Sequence, residues 1–106
     1  MTQFEDREKA FEAKFAHDSE LRFKAEVRRN KLLGLWAAGL MGLSTAEADA
    51  YAKAIIEADF AEAGDEDVFR KLRADFDAKN ITVTDHQIRN EMHALLDKAM
   101  HEIAAS

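Results

Sequence analysis

The chain reads as all-α: a four-helix bundle with short links and a mobile helical arm at its N-terminus. Three observations predict this. Proline is absent and the four glycines fall only at Gly34, Gly39, Gly42 and Gly64, so helix breakers are confined to two places. Two capping boxes are spelled out, Ser44-Thr45-Ala46-Glu47 and Thr84-Asp85-His86-Gln87, in which a hydroxyl takes a backbone N–H and the fourth side chain reaches back to the cap. Between these signals apolar residues recur at helical spacing.

The first helix carries the stripe Leu21, Ala25, Leu32, Trp36 and Leu43, interrupted where Arg28 falls. The second starts at the Ser44 box and should run to about Ala63, with Gly64 as its left-handed terminator. Asp65-Glu66-Asp67 then sets three carboxylates at the positive end of a third helix. That helix should bury Phe69, Leu72 and Phe76 and stop near Asn80. Ile81-Thr82-Val83 is too short to make a strand that matters. The fourth helix follows Thr84 and carries Ile88, Met92, Leu95, Leu96, Ala99 and Ile103 on one face.

The arm keeps a different register. At about 100° per residue, Phe4, Phe11 and Phe15 share one line, and the Leu21/Ala25/Leu32 stripe is rotated from it by roughly 80°. A straight helix cannot pack both on one bundle. Asp18-Ser19 lies between them and suits the cap of a fresh helix. Residues 1–18 are therefore expected to form a separable arm, and residues 19–106 a single bundle domain.

Composition excludes several functions. Without cysteine there is no disulfide framework, thiolate metal site or cysteine nucleophile, and the cytosol is the default compartment. Glu5, Asp6 and Glu8 occupy the place where an export signal needs positive charge. The longest run of apolar residues and glycine, 32–43, is well short of the roughly 20 residues that span a bilayer, so direct membrane insertion is not expected. The net charge of -6 is unevenly spread: residues 21–43 hold five bases and one acid, and both flanking regions are acidic. An acidic body with one basic band does not make a nucleic-acid binder.

Two segments invite a binding role. The arm suits helix-in-groove recognition, with Phe4, Phe11 and Phe15 as anchors and Arg7, Glu8 and Lys14 as flanking charges; the competing reading packs the same stripe inside the molecule. In the basic band, Arg28, Arg29 and Lys31 with Trp36 could hold a phosphate and stack a base, or simply pair with the acidic body. Arg70-Lys71-x-Arg73 is a second anion candidate, weakened by the acids before it. Gly34, Gly39 and Gly42 match no phosphate loop and suit close helix packing and a helix end. Asp59, on a face that looks buried, calls for a cation near the helix end. His86, Asn90, His93, Asp97 and His101 form one polar face; His93 and His101 stand about 12 Å apart, so a shared metal is not expected. No nucleophile, acid and base are grouped, and an enzyme is not expected.

Three blocks bring a family into view. Residues 4–18 (FEDREKAFEAKFAHD), 23–40 (FKAEVRRNKLLGLWAAGL) and 64–72 (GDEDVFRKL) closely resemble the inhibitory zeta subunit of the alpha-proteobacterial F-type ATP synthase. The likeness spans nearly the whole chain, with residues 44–63 and 80–106 matching mainly in helical character. It implies a small helical protein that binds the catalytic sector and blocks ATP hydrolysis, with the segment matching Phe4 to Phe15 as the inhibitory element and the bundle as carrier. It also implies ADP or ATP as a regulatory ligand of the bundle, no required cofactor, and a cytoplasmic location peripheral to the inner membrane through the synthase. The rival reading is a nucleotide-sensing helical adaptor whose arm folds back as a latch and whose protein partner is different.

Overall fold

A computed structural model describes residues 13–15, 17–60 and 65–105, and all regular structure among them is helical. Four helices follow in order: α1 (Ser19–Met41), α2 (Thr45–Asp59), α3 (Glu66–Ala78) and α4 (Asp85–Ala105). The longest, α1, packs chiefly against α2 and α4, with α3 closing the remaining side. The core is Leu33, Ala37, Ile55, Val68, Leu72, Phe76, Ile88 and Met92, drawn from all four helices.

Local chemistry sets the helix ends. The Asp18 carboxylate accepts from the N–H groups of Glu20 and Leu21, each at 3.1 Å, so a fresh helix does start at Asp18-Ser19. Both capping boxes form. Ser44 Oγ accepts from Glu47 N–H at 3.2 Å while Ser44 N–H donates to Glu47 at 3.0 Å. Thr84 and Gln87 exchange the equivalent pair at 3.1 and 2.9 Å.

The C-termini of α1 and α3 share one solution. Gly42 has φ 72°, Gly42 N–H reaches Gly39 O at 3.3 Å and Leu43 N–H reaches Ala38 O at 3.0 Å. Asn80 has φ 58°, with Asn80 N–H on Asp77 O at 3.1 Å and Ile81 N–H on Phe76 O at 2.8 Å. Both are Schellman closures, in which a left-handed residue turns two N–H groups back onto orphan carbonyls. Glycine takes this conformation freely, and asparagine is the next most tolerant choice.

Three expectations need correcting. The second helix ends at Asp59, with Phe60 as its cap, short of Ala63; Gly64 lies outside the described residues. In α3 the buried line is Val68, Leu72 and Phe76, while Phe69 is half-buried beneath the Arg89 guanidinium, 4.0 Å from its ring centre. In α1 the buried set is Ala25, Arg29, Asn30, Leu33, Gly34, Ala37 and Ala38, and Leu21, Leu32, Trp36 and Leu43 are only half-buried. The buried face lies one residue from the expected one because α2 approaches on small side chains.

Gly34 shows how close that approach is. A Cβ built there would stand 2.6 Å from Ala52 Cα, whereas one at Gly39 meets nothing within 4 Å. The obstacle is backbone, so the helices themselves would have to separate. Gly34→Ala is expected to lower stability by about 1–3 kcal/mol. Gly39→Ala should raise it by roughly 0.5–1 kcal/mol through helix propensity, and urea unfolding of the two variants should move in opposite directions.

Tyr51 ties α2 to α3 by donating to Asp75 at 2.6 Å. Burial, first, and then the hydrogen bond to this carboxylate push the Tyr51 phenol well above its ordinary value of 10.0. The folded form holds its proton more tightly than the unfolded form. This contribution is therefore complete below about pH 10 and is lost as pH rises from there toward the folded value. The chain has one tyrosine, so tyrosinate absorbance reads it alone. It should appear together with alkaline unfolding, and Tyr51→Phe should show a shallower fall in melting temperature above pH 10.

Candidate functional site

The residues just before α1 are tied to it by backbone hydrogen bonds. Residues 13–15 and 17 are helical, and the backbone bonds Asp18 N–H to Lys14 O at 3.1 Å and Arg22 N–H to Asp18 O at 3.0 Å bridge the extended Asp18. Of the expected arm contacts, Lys14 is exposed and Phe15 is only 3% exposed. Phe4, Arg7, Glu8 and Phe11 lie outside the described residues.

The four residues proposed for nucleotide do not come together. Arg28, exposed on the outer face, lies 3.8 Å from Glu102. Lys31 is exposed. Trp36 packs edge-on against Phe76, ring centres 5.6 Å apart at 84°, so its indole serves the core. Arg29 is 1% exposed and committed to protein groups: it donates to Asp65 at 2.9 Å and to Asn30 at 3.0 Å. Its remaining nitrogen, Nη2, makes no hydrogen bond but stands 3.7 Å from Asp59. Asn30 in turn donates to Asp59 at 2.9 Å.

Asp59 thus finds the cation its burial demanded, and Arg29 becomes a clamp. It joins the middle of α1 to the last residue of α2 and to Asp65, which stands at the N-cap of α3 yet makes no capping bond. The acids of that turn are all drawn into ion pairs, Glu66 with Arg89 at 3.1 Å and Asp67 with Arg70 at 2.6 Å. Arg73, from the second anion candidate, is held by Asp77, Asp85 and the Val83 carbonyl. Lys71 pairs with Asp75 at 3.1 Å.

Beside the clamp is a cavity of about 90 Å³ lined by Arg29, Asp65, Arg89, Met92, His93 and Leu96. Arg29 Nη2 is shielded from solvent, which leaves the unbonded nitrogen closed to any occupant of that space. Along α4, His86 meets Asn90 at 3.1 Å and His101 meets the Asp97 carbonyl at 2.8 Å. Among the described residues no three potential metal ligands gather.

One feature escaped the sequence reading. Phe23 and Phe60 are 52% and 60% exposed and stack on each other, ring centres 5.9 Å apart at 25°. The signal available was the helical position of Phe23, seven residues before Asn30 and so on nearly the same line of α1. Locating Phe60 required knowing that α2 ends at Asp59.

No curated protein matches the chain. A family model described as ATPase inhibitor subunit zeta matches residues 1–102. A solved chain, described as the solution NMR structure of a protein, is 44% identical; the match covers 80% of this chain and 96% of that one with a TM-score of 0.72. No helix among the described residues is long and apolar enough to cross a membrane.

Proposed function

The chain belongs to the ATPase inhibitor subunit zeta family, and from that premise we propose that it arrests ATP hydrolysis by an F-type ATP synthase by inserting its N-terminal arm into the catalytic sector. The observation that carries this reading is the reach of the family match, which starts at residue 1 and takes in the arm as well as the bundle. Membership implies a regulatory role. The arm supplies a different register from the bundle and two phenylalanines, Phe4 and Phe11, with Arg7, Glu8 and Lys14 beside them.

A rotary ATPase must open and close its catalytic interfaces in turn. A helix wedged into one of them stabilises a single state, and inhibition then scales with the difference in affinity between that state and the others. Phe15 sits at the buried root and takes part only where the root is released. Any ordering of the arm on insertion subtracts from affinity. The bundle is the carrier, held peripherally at the cytoplasmic side of the membrane by the synthase. ADP or ATP as a regulatory ligand of the bundle belongs to the same reading, with Arg28 and Lys31 as the accessible cations.

The test is ATP hydrolysis by the isolated catalytic sector, titrated with intact protein and with full-length Phe4→Ala/Phe11→Ala. The intact protein should stop hydrolysis. Removing two aromatic anchors should raise the half-inhibitory concentration about 10- to 100-fold or more. Hydrolysis that continues undiminished under excess intact protein would instead favour the adaptor with another partner.

A further inference from the structure

From the exposed pair Phe23 and Phe60 we infer that the bundle carries a second contact for the same partner, an apolar patch that seats against the outer wall of the catalytic sector beside the cleft entered by the arm. This rests on the arm-insertion reading above. Large hydrophobic side chains more than a third exposed number three among the described residues, Phe23, Leu40 and Phe60. Two of them lie face to face on one spot. Scattered single apolar residues on a surface need no explanation, but an aromatic pair kept in water is the composition of an interface centre.

Position selects the occupant. Phe60 caps α2, so the stack marks the level at which α2 stops and the N-terminal turn of α1 leads on toward the arm. Helical hydrogen bonding bridges Lys14 to Asp18 and Asp18 to Arg22. Phe23 lies nine residues beyond Lys14 and five beyond the Asp18 cap, in the second turn of α1. A partner that grips the arm up to Lys14 comes to the bundle at the end that carries Phe23.

The surroundings fit a rim. Arg22 pairs with Glu26 at 3.1 Å and Lys24 with Glu20 at 3.1 Å, both within one helix and all solvent-accessible. The charges flanking Phe23 are thus already neutralised locally and need not be stripped of partners on docking. Apolar centre and self-satisfied polar rim is the anatomy of a transient protein interface. The sum is an extended footprint in which the arm supplies specificity for one catalytic state and the patch slows departure, as linked contacts do.

The experiment compares three full-length proteins in the hydrolysis assay: the natural chain, Phe23→Ala/Phe60→Ala, and Phe4→Ala/Phe11→Ala. The patch variant should keep its helicity, reach the same maximal inhibition, and show a half-inhibitory concentration raised about 10- to 100-fold, carried mainly by faster dissociation. Phe60→Glu, a single change on an exposed ring, guards against a folding defect and should weaken inhibition at least as much as Phe60→Ala. Unchanged potency of both patch variants beside a weakened arm variant overturns the patch and leaves the arm reading intact. Unchanged potency together with loss of a natural self-association, read by light scattering, also overturns it and assigns the pair to a second copy. A weakened patch variant beside an arm variant of full potency sinks the arm reading and, with it, the shared footprint inferred here.

Discussion

Arg29→Ala is expected to lower stability by about 3–5 kcal/mol, and to lower the melting midpoint by at least 10 °C at roughly 4–8 °C per kcal/mol for a chain of this size. The effect comes from what stays behind. Arg29 is buried and is the cation for Asp59, whose side chain is 12% exposed, as well as for Asp65. Truncation leaves Asp59 nearly buried without its counter-charge, strands Asn30 without one of its partners, and opens a hole in the face of α1. Arg29→Lys should recover only part of the loss, because an ammonium cannot reach Asn30 and Asp65 with the fork geometry of a guanidinium. The neighbouring Arg28, exposed and 3.8 Å from Glu102, sets the scale for comparison: Arg28→Ala should shift stability by no more than about 0.5–1 kcal/mol. Equal losses for the two arginines, measured by urea unfolding, would mean that the clamp does not hold the ends of α2 and α3 together. Arg29→Met combined with Asp59→Asn and Asp65→Asn should recover most of the deficit, since removing a buried charge cluster whole is far milder than breaking it.

The sequence offered Arg29 as a ligand for phosphate or as a partner of the acidic body, and the structure buries it as a clamp on Asp59 and Asp65. Helix starts were legible because capping is local: Ser44, Glu47, Thr84 and Gln87 carry the whole signal in four consecutive residues. The buried face of α1 was not, because it runs along Ala25, Arg29, Leu33 and Ala37 with Asn30, Gly34 and Ala38 beside it. Only Leu33 in that set is strongly apolar. Alanine and glycine mark a contact by letting another backbone approach, as Gly34 does with Ala52, and such a contact becomes visible only when the second helix is in place. The same holds for the clamp. Asp59 read as a buried carboxylate in need of a cation, but nothing local tells which of Arg28, Arg29 or Lys31 will answer it. Three-dimensional pairing across a separation of 30 residues in sequence decides that, and in deciding it removes Arg29 from the candidate ligand site. The end of α2 was misplaced as well: the helix closes at Phe60, whose ring stacks on Phe23, and no local stop signal marks that position in the sequence.

Phe76→Ala should be the most damaging single truncation in the apolar core, at about 3–5 kcal/mol. Phe76 is wholly buried in α3, its ring forms the wall on which Trp36 of α1 rests edge-on, and its carbonyl accepts the Ile81 N–H that closes the helix. Removing the ring takes away a large buried apolar area and leaves a void that a close-packed interior refills only in part. Trp36 is the sole tryptophan, so the consequence can be read optically. Its emission should shift to the red in Phe76→Ala even under conditions where the variant is still folded, because its indole loses one apolar neighbour and gains water. Phe76→Leu should retain most of the stability, losing about 1–1.5 kcal/mol. Leu95→Ala, at a half-buried position on α4, should cost about 1–2 kcal/mol and leave Trp36 emission unmoved. A Phe76→Ala variant that loses less than 1 kcal/mol, or whose Trp36 spectrum is unchanged, would show that the α1–α3 contact is not a working part of the core. At temperatures well below its lowered midpoint the folded fraction of Phe76→Ala should still inhibit hydrolysis with the potency of the natural chain. The apolar cluster around Phe76 includes neither Phe23 nor Phe60.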